Sequence, residues 1–216
     1  NTTGCNNTFI GRYAGFGNTT GYYNMFIGDC VGYYNTTGHR NVFLSHMAGY
    51  SNTTGSRNFF ALSYAGACNT TGERNVFIGS DAGRYNTTGN QNIYLGQSAG
   101  KGATTGGYNV AIGSNAGSGS YNTGYYNVFM GNYAGADNTT ASGGVFIGRS
   151  AGRKNTTGDS NTFIGQCAGA YNTTGKKNVI IGHYGGYCNT TGCCNNFIGP
   201  FAGNRSEEHT SELQSH

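Results

Sequence analysis

Asn1 to Gly17 reads NTTGCNNTFIGRYAGFG, and this seventeen-residue stretch recurs along the chain to about Asn204. Copies begin at Asn1, Asn18, Asn35, Asn52, Asn69, Asn86, Ala103, Tyr121, Asn138, Asn155, Asn172 and Asn189. The spacing is seventeen except in the seventh copy, which carries one extra residue near Ser118 to Ser120. A fixed period of this length is the signature of a solenoid, in which each unit buries its apolar face only by stacking on its neighbours.

Each position of the unit has a physical reading. Position 15 is Gly in all twelve copies, position 4 in eleven (Ala141 differs) and position 11 in ten (Ser45 and Leu62 differ). Three glycines per unit imply three sharp turns or close backbone approaches. Position 7 is Asn in eleven copies, with Gly144 the exception. Asn tolerates the left-handed region, and identical Asn side chains stacked coil on coil form a ladder. The only apolar run is positions 8 to 10, as in Val42-Phe43-Leu44 and Val145-Phe146-Ile147. It is short, β-branched and aromatic, so it predicts a strand; the glycine density excludes a helix. The fold class that follows is all-β, a parallel β-solenoid of about twelve coils. At about 4.8 Å per coil the rod is roughly 58 Å long.

Composition agrees. Glycine numbers 40, with 12 Phe and 17 Tyr, while charged residues make up 9%. That many aromatics argues against disorder, and a single Pro without a Gly-X-Y period excludes collagen. The net charge of +4 comes with no long basic run, so nucleic acid is not implied. No apolar stretch approaches the ~20 residues of a membrane span. Residues 205–216 read RSEEHTSELQSH and break the repeat. They resemble read-through translation of a sequencing adapter, so 1–204 is read as the repeat domain and 205–216 as a non-native tail. Without that tail the chain carries 11 basic and 5 acidic residues, a net +6.

Strand parity raises the central question. Adjacent strand residues point to opposite faces, yet both faces are apolar here. Position 9 is aromatic in Phe9, Phe26, Phe43, Phe60, Phe77, Tyr94, Phe129, Phe146, Phe163 and Phe197, with Ala111 and Ile180 in the other two copies. Position 10 is Ile, Leu, Met or Ala throughout. A thin coil has one interior, which the small residue at position 14 (Ala14, Ala48) completes. One apolar stripe is therefore left over, of several hundred Å2, at or above what soluble monomers usually expose. The stripe predicts an oligomer. The ten aromatics at position 9 are candidates for its interface, and parity alone leaves open whether they or positions 8 and 10 face the partner.

The unit N-x-F-I-G-x-x-A-G, as in Asn75 to Gly83 and Asn161 to Gly169, resembles the head repeats of trimeric autotransporter adhesins. The wider NTTGxxNxFIGxxAG pattern is similar to repeat regions of bacterial and phage tail-fibre proteins. The resemblance covers Asn1 to about Asn204. It implies a left-handed parallel β-roll, three chains side by side, displayed extracellularly on a bacterial cell or phage virion. Its function would be attachment to a cell surface or glycan, with the chain itself as partner in a homotrimer and a surface glycan or host receptor as ligand. Two departures stand out: the repeat is longer than the adhesin head unit, and Phe replaces the small residue of its strand.

Candidate chemistry is sparse. The carboxylates Asp29, Asp81, Asp137, Asp159 and Glu73 are scattered over four positions of the unit, whereas a glycosidase needs two converging ones. Catalytic residues, cofactors and metal sites are therefore all read as none. Seven cysteines occupy unrelated positions; Cys188, Cys193 and Cys194 lie near one turn, with spacing that matches no zinc signature. Asn-Thr-Thr matches the glycosylation sequon, but the repeat itself explains it. The Thr-Thr pair suggests an alternative function, an ice-binding threonine ladder. Parity gives one outward Thr per coil, against the two files a flat array wants. Recognition is assigned to the variable turn positions 5, 6, 12, 13, 16 and 17. Arg40, Arg57 and Arg74 at position 6 of three successive coils, with Tyr22, Tyr23, Tyr33, Tyr34 and Tyr50 nearby, are the candidate ligand-binding residues for sulfated or phosphorylated glycans.

Overall fold

The computed structural model describes residues 2–204, and the tail 205–216 lies outside the described residues. Within them the chain forms one parallel sheet of twelve three-residue strands, from β1 (Thr8–Ile10) to β12 (Asn196–Ile198), in chain order. Each strand pairs with the next in register, so position 8 meets position 8, 9 meets 9 and 10 meets 10 at all eleven steps. No helix forms among the described residues. This is the β-solenoid that the period predicts. Its seventeen-residue coils stack like to like, so every side-chain type runs along the rod as a column.

The interior is the position 9 column. Phe26, Phe43, Phe60, Phe77 and Phe163 are fully buried, Tyr94, Phe129 and Phe146 nearly so, and Phe9 and Phe197 are part-buried in the end coils. Rings in adjacent coils are parallel, with centroids 4.8 Å apart and planes 3° to 6° apart from Phe26 to Tyr94. The strand spacing sets that separation. Carbon contacts are optimal near 3.5–4.0 Å, so parallel rings at this spacing touch by slipping sideways, the offset arrangement that aromatic quadrupoles prefer. Position 14 closes the core from the other side: Ala48, Ala65, Ala82, Ala99, Ala116, Ala134, Ala151 and Ala168 are fully buried.

The aromatics at position 9 are thus corrected from interface candidates to core. The reason is the glycine at position 15. In Gly49 and Gly66 φ is +58° and +57°, and an added Cβ would fall within 3 Å of the ring of Phe43 or Phe60 in the same coil. Only glycine lets the backbone close over a ring, and this closing draws position 9 inward. Positions 8 and 10 then point out. Met25, Ile27, Ile78, Ile93, Met130, Val179 and Ile181 are 36–42% exposed and form the left-over stripe.

Two buried asparagine ladders run along the rod beside this core. At position 1, Asn35 Nδ2 donates to Asn18 Oδ1 at 2.7 Å and to its own coil's Gly38 carbonyl at 3.1 Å. Asn52, Asn69 and Asn86 repeat the pattern. At position 7, Asn41 accepts the Asn58 N–H on Oδ1 (2.9 Å) and donates Nδ2 to the Gly55 carbonyl of the next coil (2.8 Å). Buried amides are retained where both ends are satisfied, and here the period guarantees the partner. None of the position 7 asparagines has a positive φ, so the ladder, rather than left-handed backbone, is their role. The sequon asparagines Asn18, Asn35, Asn52, Asn69, Asn86, Asn138, Asn155 and Asn172 are all buried; the folded chain offers no acceptor amide there.

Coils 7 and 8 carry the irregularity. Ala103 replaces the position 1 Asn, and Asn86 Oδ1 is left as the one buried side-chain polar atom without a partner among the described residues. Tyr121, which the period assigns to position 1, is 81% exposed. Asn122 supplies the rung instead, accepting from Asn138 Nδ2 at 3.3 Å. The core adapts too. In β7 (Val110–Ile112) Ala111 leaves a vacancy, and the ring of Phe129 in β8 (Val128–Met130) leans into it. Phe129 touches the positions of both Gly117 and Gly135 and lies 46° from the plane of Phe146.

Candidate functional site

The outward turns are strained. Among the described residues twenty-six non-glycine residues have positive φ, most of them at positions 6 and 13, including Tyr23, Arg40, Arg57, Arg74, Tyr108 and Tyr126 at position 6. Left-handed backbone costs a non-glycine residue about 1–2 kcal/mol. The cost is offset by the stack: the Arg40 N–H donates to the Tyr22 carbonyl of the preceding coil at 3.0 Å, and Arg57 and Arg74 donate likewise to His39 and Ser56. The geometry turns each of these side chains outward.

Arg40, Arg57 and Arg74 form an exposed column, and none is in an ion pair with a carboxylate among the described residues. The column is bracketed by aromatics. Tyr23 precedes it, and Tyr22 stacks on His39 at 4.7 Å, 10° from parallel. Gln91, Tyr108 and Tyr126 follow, with Tyr108 and Tyr126 stacked at 5.0 Å. A shallow cavity of about 330 Å3 opens at this lower end, lined by Glu73, Arg74, Gln91, Tyr108 and Tyr125. Gln91 Nε2 donates to the Tyr108 hydroxyl at 3.1 Å, fixing one wall. Tyr108 and Tyr126 belong to the column but were not among the sequence candidates; their shared position 6 was the signal.

Tyr33, Tyr34 and Tyr50 stand apart from that column. They occupy positions 16 and 17, where Tyr33 stacks between Phe16 (5.1 Å) and Tyr50 (5.3 Å) and Tyr34 meets Tyr50 edge-on. The sequence candidates therefore divide between two edges of the rod: Tyr22 and Tyr23 lie with the arginines, and Tyr33, Tyr34 and Tyr50 form a separate aromatic cluster.

The four aspartates are engaged one by one, while the Glu73 carboxylate has no ion pair among the described residues. Asp29 receives both Arg12 Nε (2.8 Å) and Nη2 (2.9 Å), and this hydrogen bonding holds its carboxyl below the usual range. Asp81 meets Arg84 and Lys101, Asp137 meets Lys154, and Asp159 meets Lys176. These pairs lie at different turns, so none sets two carboxyl groups across a shared cleft. The seven cysteines are free, and no group of three His, Cys, Asp or Glu side chains suited to a metal ion occurs among the described residues.

The two threonines have different fates. At position 2 the hydroxyl donates to the backbone carbonyl of the next coil's position 2, as in Thr19 to Thr36 (3.0 Å) and Thr53 to Thr70 (3.1 Å). Position 3 stays exposed, as in Thr37, Thr54 and Thr71. The rod therefore presents a single file of free threonine hydroxyls.

Comparison of the chain with protein-family models, curated proteins and solved structures finds no match. No helix among the described residues is long and apolar enough to cross a membrane.

Proposed function

We propose that the chain is a structural and adhesive segment of a fibre displayed outside a bacterial cell or on a phage virion, in which three copies lie side by side. The observation that carries this reading is the outward stripe of positions 8 and 10. On one chain it is unpartnered and runs over eleven strand-to-strand steps, apolar at position 10 throughout and at position 8 except at Thr8, Thr162 and Asn196. A band two side chains wide over that length presents roughly 400 Å2, within the range where a patch on a monomer marks an interaction site. It is about half of the ~800 Å2 each partner gives to a standard interface, and the flanking turns supply the remainder.

The role is non-catalytic, supported by the dispersal of the four aspartates into separate ion pairs and the isolation of Glu73 from any second carboxylate. Attachment falls to the arginine column with its bracketing tyrosines. Guanidinium groups repeated at the coil spacing suit sulfate or phosphate groups on a polymer, and the aromatics suit sugar faces. Many weak contacts along a multichain rod add through effective concentration. Replacing Arg40, Arg57 and Arg74 together with Ala should weaken retention on a heparin column and lower the salt needed for elution. Elution of the variant at the parent's salt concentration would remove the column from recognition.

A further inference from the structure

A second recognition site lies on coils 9 to 11, on the edge formed by positions 12, 13, 16 and 17. Position 16 is large on either side, at Arg153 and Tyr187, but is Ala170 between them. Ala170 and Cys167 are buried and form the floor of a notch of about 190 Å3. One wall carries Arg149, Arg153 and Lys154. Only Lys154 has a carboxylate partner, Asp137 at 3.6 Å; Arg153 lies over the Tyr133 ring at 5.3 Å, and Arg149 is exposed. The other wall is a set of tyrosines: Tyr171 meets Tyr187 edge-on at 4.8 Å, and Tyr184 meets Tyr187 at 5.0 Å. A hydrogen bond shared with Tyr171 pushes the Tyr187 phenol up to about 12.

Three cations against one carboxylate define a site for an anion. Arginine pairs with oxyanions through several donors at once. Aromatic rings edge-on to one another leave a ring face free to stack on an apolar sugar face, while their hydroxyls reach its polar rim. The volume is below the roughly 300 Å3 at which drug-sized sites begin, so it accepts one ring. We propose that this notch binds a single sugar unit bearing a sulfate or phosphate ester, with Arg149 and Arg153 on the ester and Tyr171 and Tyr187 on the ring. The proposal rests on the adhesive reading and adds a site independent of the position 6 column.

The test is calorimetric titration of the full chain with a heparin-type sulfated hexasaccharide, its desulfated counterpart and a phosphorylated mannose oligosaccharide. Two variants address the notch. Arg149→Gln/Arg153→Gln removes the charge. Ala170→Tyr fills the floor with a side chain that position 16 already carries at Tyr33, Tyr50 and Tyr187, leaving charge unchanged. Binding of either ester-bearing probe, weakened at least tenfold in both variants and in the desulfated probe, supports the notch, and the tighter probe identifies the ester. A parent-like affinity in Ala170→Tyr, with unchanged circular dichroism, overturns the notch while leaving adhesion elsewhere intact. Failure of the parent to bind any of the three probes overturns it too. If that parent still adheres to intact cells, the wider reading survives; if it does not, both fall. Tighter binding of single-stranded RNA than of either saccharide would reassign the cations to nucleic acid and overturn the proposal.

Discussion

Ala103→Asn should stabilise the protein, which is unusual for placing a polar side chain at a buried site. Ala103 is 2% exposed and interrupts the position 1 ladder, leaving Asn86 Oδ1 without a donor. Elsewhere that donor is the next coil's Nδ2, at 2.7 Å for Asn35 to Asn18 and for Asn69 to Asn52. A buried unsatisfied acceptor costs about 1–3 kcal/mol. Ordering the new side chain opposes the gain by up to roughly 1 kcal/mol, so the net gain is about 1–2 kcal/mol. The reverse change, Asn69→Ala, should cost about 1–3 kcal/mol, because it removes the donor to Asn52 Oδ1; the Gly72 carbonyl keeps its bond from Asn58 Nδ2 at 2.8 Å. Stability in a solenoid is a sum of nearest-neighbour terms, so the effect is local. Amide exchange read at Thr87, whose N–H is bound to the Thr104 carbonyl at 2.9 Å, should slow about five- to thirty-fold in Ala103→Asn. An unchanged or faster rate at Thr87, together with a clear loss in Asn69→Ala, would refute the claim that the ladder sets stability at this junction.

Four further outcomes follow from the same geometry. Phe60→Ala removes a fully buried ring flanked at 4.8 Å on both sides, and should cost about 3–5 kcal/mol in chemical denaturation. Ala111→Phe should gain little of that in return, because Phe129 already fills the space; a crystal structure would show Phe129 forced back parallel to Phe146 if the vacancy argument holds. Leu62, a non-glycine at position 11 with φ +78°, should yield about 1 kcal/mol of stability as Leu62→Gly, measured by the denaturation midpoint. Burial raises the Tyr94 phenol above its ordinary value, so its contribution is complete below about pH 10, where unfolded tyrosine ionises, and is lost as pH rises through the folded value. Tyr94→Phe should therefore flatten the alkaline loss of stability between pH 10 and 12, followed by circular dichroism.

The period, the strand at positions 8 to 10 and the small residue at position 14 were legible because a tandem repeat averages away local ambiguity. Which apolar face lies inside was not legible, since Phe43 and its neighbours Val42 and Leu44 are all apolar. The decision is made by Gly49, whose backbone closes over the ring, and that contact belongs to the coil and not to the strand. The left-handed positions 6 and 13 were hidden for a different reason. They hold Arg, Tyr, Met and Cys where a glycine would normally announce the conformation, and the ladder hydrogen bonds that compensate join residues of successive coils. The ladder role of the position 1 asparagines was not legible because their partner is seventeen residues away. For recognition, the arginine column followed from phase alone, whereas the notch at Ala170 needed the sizes of Arg153 and Tyr187 on the adjoining coils.

Self-association through the outward stripe of positions 8 and 10 is read from the molar mass of the chain in solution. Sedimentation equilibrium at micromolar concentration should return three times the 22.6 kDa of one chain. Replacing Val42, Leu44, Val76 and Ile78 with Ser or Thr should dissociate that assembly without touching the phenylalanine column. A parent chain that sediments as a folded 22.6 kDa monomer would contradict the account.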